Sequence, residues 1–166
     1  MSETDDFRAR AELWPKGNRY EDMVEGRVFD HHWGRTITEG DNATFTTQTL
    51  SFCPLYFNEP YARSLGHPKT LVNPLLVFNT VFGMSVEELS EGGGPFLGVD
   101  DCEFLVPVYV GDTLTARSTV TATRESKGQK GFGIVTWQTE GRNQNNDKVI
   151  EFRRTNLVRK RDRTGD

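Results

Sequence analysis

One apolar helix followed by four long runs of strand-type sequence is the pattern that most narrows what this chain can fold into. Beyond Glu91-Gly92-Gly93-Gly94-Pro95, residues 96–108, 113–125, 131–141 and 149–158 carry β-branched and aromatic side chains, with Gly-Asp, Lys-Gly and Asn-Gln-Asn-Asn-Asp punctuation between them. Each run reads as a strand, and short connections between long strands make an antiparallel meander. Ahead of them, Asn73 suits a helix N-cap and Pro74 is tolerated at the first helical position, where its missing N–H is no loss. Leu75, Phe78, Val81, Phe82 and Val86 then recur on one helical face. Further upstream, residues 24–38 are strand-like, Glu39-Gly40-Asp41-Asn42 marks a turn and possible helix start, and residues 43–50 suit a short helix. The order predicts an α+β fold in which an antiparallel sheet wraps around one long central helix.

Composition sets the bounds around that core. With 166 residues the chain is the size of one compact unit. Residues 1–19 read as a loosely held, charged arm that Trp14 could anchor, residues 20–161 as the folded domain and 162–166 as a tail. A net charge of −4 provides no general attraction to polyanions, so nucleic acid is not an expected partner. Two cysteines, Cys53 and Cys102, are too few for a disulfide framework, and His31, His32 and His67 lack metal-ligand spacing, so no metal is expected. The N-terminus lacks a basic segment followed by an apolar run, and no apolar stretch is long enough to cross a bilayer. A cytoplasmic setting is the expectation.

The loop Ser51-Phe52-Cys53-Pro54-Leu55-Tyr56-Phe57-Asn58-Glu59-Pro60-Tyr61-Ala62 carries the chemical signal. It resembles the hydratase motif of MaoC-like hot-dog proteins, with Pro54 setting the register. The likeness continues through His32 to Asn42, Leu71-Val72-Asn73, Val110-Gly111-Asp112-Thr113-Leu114, Arg124-Glu125-Ser126, Gly133-Ile134-Val135-Thr136 and Phe152-Arg153-Arg154-Thr155, in this order. Within that family the chain is most similar to the mesaconyl-CoA and itaconyl-CoA hydratase type. The resemblance implies a single hot-dog domain that works as a homodimer. It also implies hydration or dehydration of an enoyl-CoA, branched or dicarboxylic, with the CoA thioester as substrate and no separate cofactor.

In that register Ser51 stands where the family's catalytic Asp is expected, Cys53 where Asn is expected and Tyr56 where the catalytic His is expected. Hydrating a conjugated thioester needs a base for water, an acid for the α-carbon and donors for the enolate oxygen. Tyr56 and Ser51 are therefore the catalytic candidates, Tyr56 more readily as acid than base because a free phenol has a pKa of about 10. The resemblance also places a backbone N–H of the residue after Asn73 on the thioester oxygen. Pro74 has none to give, which shifts the substrate-binding candidates to Asn73, Leu75 and Leu76, with Cys53 beside them. Plainer roles fit the same residues: packing for Tyr56 and Cys53, and helix initiation for Asn73-Pro74.

Two other functions remain open. One is a catalytically degenerate hot-dog protein that binds acyl-CoA or supports an active partner subunit. The other is an acyl-CoA thioesterase using Glu39 or Asp41, although capping a helix after Gly40 is the simpler job for these carboxylates. Arg153, Arg154, Arg159, Lys160, Arg161 and Arg163 make the C-terminal end basic. A solvated strand end and tail explains most of them, and contact with CoA phosphates is the functional alternative.

Overall fold

The computed structural model describes residues 17–161. Trp14, most of the expected arm and the tail with Arg163 lie outside the described residues. In chain order the elements are β1 (Val28–Asp30), β2 (Arg35–Thr36), α1 (Glu39–Gln48), α2 (Glu59–Ser64), α3 (Pro74–Met84), α4 (Val86–Leu89), β3 (Phe96–Phe104), β4 (Thr113–Glu125), β5 (Phe132–Arg142) and β6 (Lys148–Arg159). The sheet runs β1-β4-β5-β6-β3 with every neighbour antiparallel, and β2 adds to β4. This is a single hot-dog fold, an α+β arrangement whose sheet covers the central helix α3.

The four expected strands are all present. Only the first is clearly shorter than expected, ending at Phe104. There the chain leaves β6, and Val108 turns to accept a bond from Val72 N–H at 2.8 Å. The strand expected over residues 24–38 is instead two short pieces. Between Asp30, opposite Arg117, and Arg35, opposite Leu114, the chain takes five steps against three along β4, so His32 and Trp33 loop outward.

Helix α1 begins four residues earlier than the short helix expected at 43–50. Thr38 is its N-cap: the hydroxyl accepts from Asp41 N–H, and Asp41 Oδ2 accepts from Thr38 N–H in return. This reciprocal box satisfies two otherwise orphaned donors. The acidic pair thus starts the helix at Glu39 rather than after Gly40.

Asn73 and Pro74 open α3 as expected, with Asn73 Oδ1 accepting from Leu75 N–H at 3.0 Å. Of the expected face of α3, Val81 is buried and Phe78 and Phe82 pack partly buried against the core, whereas Leu75 does not. Val77 and Val81 are the fully buried pair, packed on Ile37, Leu114, Ala116, Ile150 and Phe152, while Leu75 is 53% exposed. Burying each valine contributes about 1.5–3 kcal/mol. The helix approaches closely because β5 offers Gly141 beneath it, where an added Cβ would lie 2.5 Å from Val81 Cγ2. Helix α3 stops at Met84, so Val86 belongs to α4. A second apolar cluster, Met23, Phe29, Leu89, Val120, Val135, Trp137 and Val158, fills the other end of the sheet.

Candidate active site

The motif loop is built off the end of α1. Leu50 turns in the left-handed region (φ 56°), and Ser51 N–H returns to Thr46 O at 3.0 Å. Residues Pro54–Tyr56 form one 3₁₀ turn, started by Pro54 with its preset φ. Asn58 caps α2 through its side chain, which accepts from Tyr61 N–H at 3.0 Å. Leu71 N–H bonds Leu55 O at 3.1 Å, so the loop is stapled to the segment leading into α3.

One buried carboxamide joins these pieces. Asn42 is fully enclosed; its Nδ2 donates to Tyr56 O at 2.7 Å and Leu71 O at 2.8 Å, and its Oδ1 accepts from Asn73 N–H at 2.8 Å. The backbones of Tyr56 and Asn73 are thereby held at the nitrogen and oxygen ends of a single carboxamide. Removing that amide would strand three backbone groups in the interior. The sequence reading treated Asn42 only as part of a turn. It lies on a helix whose two buried residues, Asn42 and Thr46, are both polar, so no apolar periodicity marks it.

The site residues fall out as follows. Ser51, Cys53 and Tyr56 are half-buried, and Asn73 is buried. Burial, and secondly the nearby Cys53 thiol, pushes the Tyr56 hydroxyl above its ordinary value near 10. That direction keeps the phenol protonated, so it can donate a hydrogen bond, and works against a base. Both backbone N–H groups expected to take an oxyanion are already engaged: Leu75 N–H on Asn73 Oδ1 and Leu76 N–H on Asn73 O at 2.9 Å. In contrast, Asn73 Nδ2 is buried with no partner, as is Thr46 Oγ1. A cavity of about 280 Å³ opens at this end of α3, walled by Leu71, Pro74, Val77 and residues 104–108, but none of Ser51, Cys53, Tyr56, Asn73, Leu75 and Leu76 lines it.

Of the remaining candidates, Asp41 and the three histidines have local partners, whereas Glu39 opens α1. Asp41 holds the α1 cap and pairs with Arg35 at 2.8 Å, and the Thr38 hydrogen bonds keep its carboxyl below the usual range. His67 faces Tyr109 at 3.2 Å. His31 and His32 both meet Glu88, each through Nδ1 at 2.8 Å. His31 Nε2 lies 2.9 Å from Ser118 Oγ, itself 2.8 Å from Thr139 Oγ1. An Nδ1–H tautomer satisfies this chain throughout, with Ser118 donating to Nε2 and Thr139 donating to Ser118. Burial lowers the His31 pKa although Glu88 opposes the shift, which agrees with a neutral ring.

Among the basic C-terminal residues, Arg153 pairs with Asp101, Lys160 with Glu125 and Arg161 with Asp22. Arg154 corrects the solvated-strand-end reading, since it is 1% exposed. Strand alternation carried the signal: Phe152, Arg154, Asn156 and Val158 share the buried face of β6.

Comparison with known proteins adds a lineage to this geometry. A family model described as mesaconyl-CoA hydratase matches residues 2–165. A mesaconyl-CoA hydratase from Haloarcula hispanica is 36% identical over 159 residues, covering 95% of this chain and 44% of the relative. A beta-methylmalyl-CoA dehydratase from Chloroflexus aurantiacus is 40% identical over 146 residues, covering 88% of this chain and 41% of the relative. The crystal structure of a MaoC domain protein from Chloroflexus aurantiacus J-10-fl, assigned as a dehydratase, superposes with a TM-score of 0.84 at 38% identity, over 90% of this chain and 42% of that one. The chain thus spans less than half the length of these two curated relatives.

Proposed function

The chain belongs to the mesaconyl-CoA hydratase family of MaoC-like hot-dog proteins, and from that premise we propose that it adds water to, or removes it from, an acyl-CoA thioester. The observation that carries the reading is the Asn73 side chain: a buried N–H donor with no acceptor, fixed beside the motif loop by Asn42. In hydration, water oxygen bonds to the β-carbon, the C=C π pair moves toward the thioester carbonyl, and a proton reaches the α-carbon. Asn73 Nδ2 stabilises the enolate oxygen, and Tyr56, held protonated by burial, supplies or relays the α-proton. Ser51 offers no carboxylate to take the proton that the water loses, so in this reading the substrate's own carboxylate accepts it. For that reason the favoured substrate is a short carboxylated enoyl-CoA, a class represented in the relatives' names, whose own carboxylate contributes charge at the site.

The active unit in this reading is a pair of hot-dog domains. β3 is a sheet edge and exposes Phe96, Leu97 and Phe104, with Leu105 and Val106 following. An open apolar edge is a template for a second sheet. Light scattering of the chain at micromolar concentration should return a dimer; a stable monomer would refute the pairing with a second copy.

The decisive experiment compares mesaconyl-CoA with crotonyl-CoA on wild type, Tyr56→Phe and the double substitution Ser51→Asp with Tyr56→His. Wild type should turn over the carboxylated substrate and act poorly on crotonyl-CoA, and Tyr56→Phe should lose about 10²-fold or more. The double variant should gain activity on crotonyl-CoA. Unchanged turnover in Tyr56→Phe removes the proton role. The replaced motif residues also favour a second reading, a binding subunit for an active partner. Full inertness of wild type with gain in the double variant would select it.

A further inference from the structure

Arg154 is a buried cation that makes no ion pair among the described residues. Its Nε donates to Asn156 Oδ1 at 2.9 Å, Nη1 to Ser85 Oγ at 2.7 Å and Nη2 to Ser90 Oγ at 2.6 Å, and the guanidinium carbon sits 4.1 Å from the centre of the Phe82 ring. All of these partners are neutral. Both serine hydroxyls spend their own protons on helix carbonyls, Ser85 on Phe82 O and Ser90 on Val86 O, which leaves lone pairs facing the cation. No carboxylate forms an ion pair with Arg154 among the described residues. A buried cation without a counter-ion is costly, and burial draws its pKa down to about 10, still charged at neutrality.

The same guanidinium lines a cavity of about 360 Å³, whose walls are chiefly Phe78, Phe82, Val86 and Phe96, with Asn79 on the exposed side. Three of its five N–H donors are used. One remains on each terminal nitrogen, so the cation keeps two donors for an acceptor. We propose that this cavity is a carboxylate pocket, which takes an aliphatic acid with its chain against the phenylalanines and its charge on Arg154.

The pocket is separate from the candidate active site. Phe82 follows Asn73 by nine residues, about 13 Å along a helix, which exceeds the span of a four-carbon dicarboxylic acyl group. A mesaconyl thioester seated at Asn73 therefore leaves this pocket empty in the same chain. Its ligand is a longer carboxylate, either a free fatty acid or the far end of a longer dicarboxylic acyl-CoA.

Calorimetric titration with octanoate and with octan-1-ol at pH 7 tests the pocket without any turnover, so its failure is distinct from failure of the hydratase reading. Octanoate should bind at least about tenfold more tightly than the alcohol, a difference of 1.4 kcal/mol. Arg154→Lys, which keeps charge but loses the guanidinium, should weaken octanoate by a similar factor. Because changes at Arg154 disturb Ser85, Ser90 and Asn156, Asn79→Trp provides an independent check by filling the exposed side while leaving that network intact. Equal affinity for acid and alcohol, or undiminished octanoate binding in Asn79→Trp, would overturn the proposal. Suberyl-CoA binding more tightly than octanoyl-CoA, with the preference lost in Arg154→Lys, assigns the pocket to a dicarboxylic thioester. Octanoate selection without that preference assigns it to a free acid.

Discussion

Where α4 packs on the sheet, the side chains of Glu88, His31, Ser118 and Thr139 close their hydrogen bonds on one another, whereas at its N-terminal end α3 keeps a buried amide donor with no acceptor. The first region runs Glu88, His31, Ser118, Thr139 and ties α4 to the centre of the sheet. The second centres on Asn42, which satisfies three backbone groups, yet Asn73 Nδ2 and Thr46 Oγ1 beside it are left over. A closed network contributes to stability and has nothing left to offer a ligand. An unfilled donor costs stability and retains its capacity for a substrate oxygen, so the difference separates structural polar groups from candidate chemical ones.

The contrast can be broken most forcefully at Asn42. Asn42→Ala should lower unfolding free energy by about 3–5 kcal/mol, because three buried backbone groups lose partners at once. Urea denaturation measures it, and a loss below that of Ser118→Ala, which should cost about 1–2 kcal/mol, would remove Asn42 from its keystone position. Next in size is Asn73→Ser, which preserves an N-cap oxygen but deletes the free amide. Turnover of the preferred thioester should fall by about 10²–10³ while stability changes by less than about 1 kcal/mol. Equal losses in both would make Asn73 a cap and nothing more.

The smallest effect is a pH dependence at the closed end. His31 has a folded pKa below its unfolded value, so the folded state favours the neutral ring. Its contribution is complete above the unfolded pKa near 6.5 and is lost as pH falls through that value toward the folded one. Glu88, also lowered, loses its contribution only at more acidic pH, below the ordinary carboxylate value. Urea midpoints between pH 7.5 and 5.5 should fall with acidification, and His31→Asn should flatten the slope. An unaltered slope in that variant would place the pH sensitivity elsewhere.

Much of the architecture was legible before any coordinates. Thr113–Glu125 was read at its observed bounds, and Asn73-Pro74 opened the helix as expected, because alternation and capping are local properties. The break at His31–Gly34 was not legible, since it depends on how two short strands register against β4. The face of α3 was legible in Val81, Phe78 and Phe82 but not in Val77: several apolar residues share that helix, and only the sheet with Gly141 beneath Val81 selects which turn fully inward. For the candidate site, the motif register located Ser51, Tyr56 and Asn73 along the chain. It did not show that Leu75 and Leu76 spend their N–H groups inside the cap.

What the sequence by itself determined is the order of elements and the hot-dog class, both carried by local pattern and residue identity. The tertiary structure alone decided which polar groups are satisfied. Asn42 reaches Tyr56 and Leu71 across 14 and 29 residues, and Arg154 reaches Ser85 across 69. Hydrogen-bond closure over such separations is set by packing in three dimensions, and no periodicity along the chain encodes it.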